Sequence, residues 1–407
     1  MIERSLASPA AELCFPGKKM AFVSGPRQCG KTTLAKMLLE ARDNCGRYLN
    51  WDSIEVRRIW AKNPTNIVPE TSEDIPLVVL DEIHKVRGWK RSLKGIWDTL
   101  SRPVDFLVTG SARLAVYRKG SDSLLGRYFA FRLHPLSLVE LDRPSTPDPD
   151  TAIDRIFDLE VVPGADVQER FEVLLEYGPF PEPALAQSAR RSRLWRRTRI
   201  EAIIREDLRD LSRIPDLSRV EMLASLLPER VGSLLSVQSL REDLEVAHPT
   251  AKRWLLSLTE LYYAYLIRPY QKRITRSLRQ APKAYLWDWS EVKDRSARFE
   301  NLIAGHLLKA CHFWTDTGEG EFELHFLRNK EKQEIDFLIT RDGHPWLPVE
   351  VKRRETLPSP NWARFLPMLG CDRGVQLIET PDYARQHRVG EGKILVASAS
   401  RVLDCLL

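Results

Sequence analysis

The sequence lacks a long apolar run, and its six cysteines are scattered along 407 residues. No stretch approaches the roughly 18 apolar residues of a membrane-spanning helix, and the first residues lack the apolar core of a signal peptide. No two cysteines form a C-x-x-C pair, which argues against a zinc ribbon or a disulfide framework. We therefore expect a cytoplasmic protein without a membrane partner.

A large excess of charge of one sign is also missing. The net charge is +6 and the isoelectric point is near 8.9, which is compatible with nucleic-acid binding but does not identify it. A hydrophobic content of 43% is enough for several packed cores. The length predicts two to four domains.

A complete phosphate-loop motif, G-x-x-x-x-G-K-[ST], lies between an apolar run at residues 20–24 and a helical pattern of leucines at residues 34–39. Its glycines let backbone N–H groups wrap a polyphosphate at the positive end of a helix dipole. Lys31 would bind the β- and γ-phosphates of ATP, and Thr32 would bind Mg²⁺. The predicted nucleotide-binding residues in this segment are Gly25, Pro26, Arg27, Gln28, Cys29, Gly30, Lys31, Thr32 and Thr33.

Two further apolar runs end in polar residues. The run at residues 76–80 leads into Asp81 and Glu82, so a buried strand is predicted to bring Asp81 to Mg²⁺ and Glu82 to the attacking water. The run at residues 104–109 leads into Ser111. This strand is expected between the other two, where a polar residue at its tip can sense the γ-phosphate. Ser111 is either this sensor or simply a helix N-cap.

Strands and helical stretches alternate over residues 1–145, which predicts a mostly parallel, three-layer α/β sheet. Residues 47–51 and 124–133 supply further strands, and Arg127 lies just before the strand within the second of these segments. The proline-rich segment at residues 143–149 predicts a domain boundary.

Two helical modules are predicted next. Residues 146–235 contain an arginine-rich helix at residues 188–211, which is a solvated face, a nucleic-acid contact or a contact to an acidic neighbouring subunit. Residues 236–290 read as a helix-turn-helix followed by two β-prone runs, at residues 263–267 and 284–289, around a basic segment at residues 271–279. This is the pattern of a winged helix, which either contacts DNA phosphates or serves only in packing.

Residues 291–407 carry acids in a suggestive order. Because side chains alternate along a strand, Glu350 and Lys352 share one face, and Asp336 on the preceding strand lies within reach. The two strands form a hairpin. With Glu300 on an upstream helix predicted at residues 297–303, these carboxylates would bind Mg²⁺, while Lys352 would position or activate a water for attack on a phosphodiester. The alternative is a nuclease-like fold that only packs or binds nucleic acid.

This order of motifs resembles the prokaryotic AAA-type ATPases whose C-terminal part is the domain of unknown function 4143. The resemblance implies an additional-strand, catalytic-glutamate ATPase core, a winged helix and a restriction-endonuclease-like, or PD-(D/E)xK, domain. The segments that carry it are residues 25–32, 80–83, 109–112, 126–127 with 135–137, 178–182, 335–336 and 350–352.

The resemblance also implies roles for individual residues. Arg127 falls at the Gly-Arg of the family and would act in trans within a homo-oligomer, with Arg113 as its rival. Ser111 departs from the asparagine usual in AAA sensors, and Ile335 replaces the proline of the nuclease signature. We expect an ATPase coupled to DNA binding or processing, or, in the alternative, a nucleotide-switched DNA-binding scaffold with little turnover.

Overall fold

The structure is a computed structural model that describes residues 2–69, 74–110, 124–160, 163–164, 166–208, 216–271 and 280–407. The chain forms two compact units, Met1–Pro135 and Leu136–Leu407. The division lies shortly before the proline-rich segment at residues 143–149. The finer division into four domains stays a prediction.

A parallel sheet forms the centre of the first unit. Its strands are β1 (Met20–Ser24), β2 (Gly46–Asn50), β3 (Leu77–Asp81), β4 (Asp105–Gly110) and β5 (Tyr128–Arg132). All neighbouring strands run parallel in the order β2-β3-β4-β1-β5. Every residue of β1, β3 and β4 is buried, as expected for central strands of a parallel sheet. The predicted α/β class is confirmed, and β4 lies between β1 and β3 as predicted, although Ser111 and Arg113 lie outside the described residues.

Helices accompany the strands of the first unit. They are α1 (Ala7–Cys14), α2 (Lys31–Glu40), α3 (Ile54–Lys62) and α4 (Trp89–Asp98), with 3₁₀ turns at Pro64–Ile67 and Ile83–Lys85. One apolar core joins the sheet to α3 and α4 and includes Phe22, Trp51, Leu93 and Phe106. Leu34 and Leu39 of α2 are buried, which the helical spacing predicts.

The second unit opens with helices. They are α5 (Pro149–Phe157), α6 (Val167–Tyr177), α7 (Pro181–Ala186), α8 (Ala189–Ala202) and α9 (Leu217–Leu226), with shorter turns at Val139–Leu141, Ile203–Leu208 and Leu227–Arg230. Asp148 caps α5, and Ser188 caps α8 by accepting from the Arg191 N–H. The arginine-rich segment is therefore helical as predicted, although it changes to a π-helical turn at Ile203.

A helix-turn-helix comes next, in α10 (Val237–Leu244) and α11 (His248–Glu260), followed by the antiparallel strands β6 (Ala264–Pro269) and β7 (Lys283–Leu286). The predicted second β-run extended to residue 289, but a 3₁₀ turn capped by Asp288 starts at Trp289 and ends the strand. Most of the predicted basic wing, residues 272–279, lies outside the described residues.

The strands of this winged-helix pattern belong to a larger sheet. The rest of that sheet is β8 (Phe322–Arg328), β9 (Glu334–Arg341), β10 (His344–Lys352), β11 (Arg373–Ile378), β12 (Ala384–Val389) and β13 (Gly392–Ser398). The eight strands follow the order β12-β13-β11-β10-β9-β8-β6-β7. β6 pairs with β7 on one side and with β8 on the other. The winged-helix strands and the C-terminal acids therefore share one sheet.

Three helices complete the second unit: α12 (Arg295–Thr317), α13 (Trp362–Leu369) and α14 (Ala399–Leu403). α12 is 23 residues long and carries Glu300, so it extends well past the predicted helix at residues 297–303. The β9–β10 pair is the predicted antiparallel hairpin. Among the described helices, including α12, none has the length and apolar character needed to cross a membrane.

Candidate nucleotide site and C-terminal acid cluster

The phosphate loop lies between the end of β1 and the start of α2. Gly30 has a φ of 102° at the N-cap of α2. A Cβ at Gly25 would lie 2.2 Å from the carbonyl oxygen of Leu133, so only glycine fits there. Cys29 of the loop is fully buried. The loop thus curls tightly over a helix N-terminus, where an anion is stabilised.

Lys31 is buried, and its ammonium donates to two carbonyl groups of its own loop. The distances from Nζ are 3.0 Å to the Gly25 oxygen and 2.6 Å to the Pro26 oxygen. These bonds hold the cation against the curled backbone. A phosphate bound by the loop would meet this charge at short range.

Asp81 lies at the carboxyl end of β3 and receives hydrogen bonds from three elements. Its Oδ2 accepts from Thr32 Oγ1 of α2 at 2.8 Å and from the Tyr48 hydroxyl of β2 at 2.5 Å, and its Oδ1 accepts from the Thr109 hydroxyl of β4. The two predicted metal ligands, Thr32 and Asp81, are therefore in contact. Hard oxygen donors at this spacing fit Mg²⁺, which takes few protein ligands and completes its shell with phosphates and water.

Glu82 follows β3 with a φ of 61°, an uncommon conformation for a residue with a side chain. Its N–H donates to the Thr109 oxygen at 3.0 Å, which fixes this turn. Burial raises the pKa of Glu82, while the positive charge of Lys31 opposes the rise. The side chain predicted to act as the base thus lies near the loop lysine.

Three residues that sequence reasoning missed support this site. Tyr48 and Thr109 donate to Asp81, and Thr109 is the direct register partner of Asp81, a signal that a correct strand order would have supplied. Arg4 is buried, and its guanidinium donates to the Cys29 oxygen at 2.6 Å and the His134 oxygen at 2.5 Å. No local motif marks Arg4, because it reaches the loop only through the tertiary fold.

Arg127 precedes β5 and pairs with Asp98 of α4, with distances of 2.7 Å from Nε to Oδ1 and 3.0 Å from Nη2 to Oδ2. The register pairs Met20 with Tyr128, so Arg127 lies at the opposite end of the sheet from the phosphate loop. Within its own chain it is thus separated from the candidate nucleotide site. Its trans-acting role stays a prediction.

The C-terminal acids meet on the β9–β10 hairpin. Asp336 Oδ2 accepts from the Val351 N–H at 2.8 Å, and Lys352 Nζ lies 2.7 Å from Glu350 Oε1. Glu350 is buried, and its Oε2 has no hydrogen-bond partner in the described part of the chain. Burial and the nearby Asp336 raise the pKa of Glu350 to about 7.

A second lysine, which the sequence analysis did not single out, lies among these acids. Lys283 of β7 is buried; its ammonium contacts the Glu334 carboxylate and lies 3.5 Å from Glu300 Oε1. Although burial works against the charge, Glu300, Asp336 and Glu334 together raise the pKa of Lys283. The Tyr285 hydroxyl also donates to Glu300 at 2.7 Å.

The ammonium groups of buried Lys283 and half-buried Lys352 therefore compensate the charge of this cluster. Over the described ranges, no group of three or more His, Cys, Asp or Glu side chains is arranged to hold a metal. Within the described chain, Glu300, Asp336 and Glu350 do not form a divalent-ion site as they stand. Metal binding and cleavage by these residues and Lys352 stay predictions.

A parallel sheet with a glycine-rich loop over a helix, backed by the adjacent Asp81 and Glu82, defines a phosphate-loop nucleotide-binding protein. Residues 17–141 match the model of the AAA domain, residues 168–291 that of the domain of unknown function DUF8612, and residues 295–386 that of the domain of unknown function DUF4143. The chain thus combines an AAA-type ATP-binding domain with a C-terminal DUF4143 domain. The resemblance inferred from the motifs is confirmed.

Similar proteins occur in bacteria. Uncharacterised proteins of Mycobacterium bovis and Mycobacterium tuberculosis are each 24% identical over 370 residues, covering 88% of this chain and 75% of theirs. An uncharacterised Haemophilus influenzae protein is 21% identical over 347 residues, covering 78% of this chain and 79% of its own.

Two kinds of solved structure also match. The Thermotoga maritima RuvB Holliday junction branch migration motor aligns with 18% identity and a TM-score of 0.29, over 64% of this chain and 86% of its own. AMPPCP-bound DnaA of Aquifex aeolicus aligns with 15% identity and a TM-score of 0.30, over 63% and 86%.

Proposed function

We propose that the protein hydrolyses ATP at the phosphate loop and couples hydrolysis to DNA binding by its C-terminal unit. The observation that carries the ATPase proposal is the contact of Thr32 with Asp81 at 2.8 Å, directly before Glu82. A metal-holding pair next to a carboxylate base is the arrangement that hydrolysis of a nucleoside triphosphate requires.

Each residue has one task in this proposal. The loop N–H groups and Lys31 bind the phosphates and stabilise the charge that develops on them. Thr32 and Asp81 hold Mg²⁺, which when bound neutralises phosphate charge. Glu82 orients the attacking water and accepts its proton. Tyr48 and Thr109 keep the Asp81 carboxylate in one direction.

The test is steady-state ATP turnover of the wild type and of the variants Lys31→Ala and Glu82→Gln. Lys31→Ala should lose binding and turnover, whereas Glu82→Gln should bind ATP and lose turnover by about a hundredfold or more. Normal hydrolysis by the Glu82→Gln protein would exclude Glu82 as the base. Binding of a fluorescent ATP analogue separates the two defects.

The DNA-binding part is supported by the helix-turn-helix of α10 and α11. Trp254, Leu255 and Leu258 face the core, while Lys252 and Arg253 are exposed on the same helix. An exposed basic edge of this kind suits phosphate contacts. Measuring ATP turnover with and without single-stranded, duplex and branched DNA tests the coupling, and DNA-independent turnover together with a lack of DNA binding would contradict it.

A nucleotide-switched scaffold with slow turnover is the second candidate. The lysine-compensated acid cluster favours it, because such a cluster suits a binding fold better than metal-dependent cleavage. Mass measurements with ADP and a non-hydrolysable ATP analogue, set beside the turnover rate, distinguish the two candidates. Incubation of DNA with the purified protein and Mg²⁺ or Mn²⁺ tests cleavage. Cutting by the wild type that is lost in Asp336→Ala would establish the predicted nuclease instead.

A further inference from the structure

A cavity of about 420 Å³ opens in the second unit beside the arginine-rich helix α8. Its wall also includes the end of α6, the turn at Trp289–Glu291 and the start of α12. Four cationic residues line it against two acidic ones, Glu176 and Glu291. The cations are Arg193, Arg196, Lys293 and Arg298.

Two of the cations are already committed to protein groups. Arg196 donates to the Ser290 backbone oxygen at 2.6 Å. Arg298 donates to the Val292 oxygen at 2.7 Å and pairs with Glu176 at 3.1 Å. These contacts build the wall of the cavity and compensate one of its acids.

The second acid is compensated from behind the cavity. Glu291 accepts from the Tyr263 hydroxyl at 2.8 Å, and Arg199 lies 3.5 Å from its other oxygen. Arg199 itself is buried, so this arginine of the predicted basic face serves the interior. The acids therefore do not cancel the remaining cations of the cavity.

Arg193 and Lys293 are those remaining cations. Both are exposed, and within the described ranges their side chains have neither a hydrogen bond nor an ion pair. A cavity of this volume suits a nucleotide-sized group. The two cations together form a donor set for a phosphate group.

We propose that this cavity binds a phosphate group of a nucleic-acid backbone. The choice of a polyanion rests on the DNA binding proposed above and on the further exposed arginines of α8, Arg190 and Arg191, beside the cavity. A free nucleotide offers the same chemistry. The experiment separates the two sources.

The test compares two double variants. The cavity variant carries Arg193→Ala and Lys293→Ala, and the control carries Arg190→Ala and Arg191→Ala. Both lose two exposed charges, but only the first pair lines the cavity. Fluorescence anisotropy with labelled single-stranded DNA, over a salt series, should show about a tenfold loss for the cavity variant and a smaller loss for the control. The slope of log affinity against log salt should fall by about 0.7 for each lost contact. Thermal unfolding confirms that both variants are folded.

Equal losses of DNA affinity in the two variants would contradict the proposed site, because they would reflect only the loss of two positive charges from the surface. If the wild-type protein binds no DNA, the proposed DNA function fails, and titration with ATP decides the site separately. That titration uses Lys31→Ala protein, whose phosphate loop is disabled, with and without the cavity substitutions. ATP binding that the cavity substitutions abolish assigns the site to free nucleotide, and no difference refutes the site.

Discussion

Asp81 links most of the candidate nucleotide site through one carboxylate. Hydroxyl groups from α2, β2 and β4 all donate to it, so its direction is set by three neighbouring elements. Metal ligands are commonly oriented by such outer contacts. Loss of Tyr48 or Thr109 would act on metal binding without touching the nucleotide.

Substitution of Lys85 tests whether the pKa of Glu82 governs ATP turnover. Burial raises this pKa, and Lys31 and Lys85 oppose the rise. Because Glu82 must be unprotonated to accept a proton, turnover should fall as pH decreases through the raised pKa. Lys85→Met removes one opposing charge, so we expect the acid limb of the kcat profile to move to higher pH. A pH series of ATP turnover measures this.

The matched control is Lys62→Met, which removes an exposed charge elsewhere on the first unit. Its acid limb should coincide with that of the wild type. An acid limb of Lys85→Met that does not move would show that the protonation of Glu82 does not govern turnover.

Residues in short motifs could be predicted and residues that act over long separations could not. Lys31, Thr32 and Asp81 follow from the rule that parallel strands present their carboxyl ends together. Arg4 is 25 residues from its loop partner, Cys29, and has no spacing that marks it. No motif marks Lys283 either, because only the complete sheet brings it beside the acids.

The strand β7 places Lys283 next to the acids on α12 and β9. Lys283→Met would leave Glu300, Glu334 and Asp336 without their buried cation, and we expect a loss of about 3–5 kcal/mol in unfolding free energy. Millimolar Mg²⁺ or Mn²⁺ should restore part of that stability, because a divalent cation can replace the missing charge. Urea unfolding with and without the metal measures both effects.

Lys293→Met serves as the control for this change, since it removes an exposed lysine and should leave stability nearly unchanged and insensitive to metal. The stability of the wild type should also be unaffected by the metal. A destabilised Lys283→Met protein without metal rescue would mean that the acids cannot converge on a cation.

The β9–β10 hairpin should make stability depend on pH. The pKa of Glu350 rises from 4.5 to about 7 in the folded chain. Between these values the folded state binds more protons than the unfolded state, so stability should decrease as pH rises through this window. Glu350→Gln should make the decrease shallower in urea unfolding at pH 5, 6 and 7. The exposed Glu331→Gln is the control, and an unchanged slope in Glu350→Gln would contradict the assignment.

For the whole molecule, the position of Arg127 makes assembly testable. It lies away from the phosphate loop of its own chain, so it can serve only the loop of a neighbour. If it does, Arg127→Ala and Lys31→Ala should each be inactive, and their mixture should regain part of the turnover. Active Arg127→Ala protein, or an inactive mixture of assembled variants, would exclude the trans-acting role.

Much of the fold could be predicted from the sequence, because the apolar runs that indicate its strands are local features. Apolar runs before Asp81 and around Glu350 predicted the correct strands, and the β9–β10 hairpin was confirmed. The joining of β6 to β8 could not be predicted, because it pairs Arg268 with His325 across 57 residues, from 268 to 325. Pairings of this separation depend on the packing of the complete unit.

That pairing limits how the chain can be divided for expression. A fragment that begins at α12 would lose β6, expose the backbone N–H and C=O groups along β8, and remove Lys283 from its acids. A free strand edge is a template for aggregation. Fragments of the C-terminal unit should therefore start upstream of Val237, so that the helix-turn-helix and its strands stay with the sheet they complete.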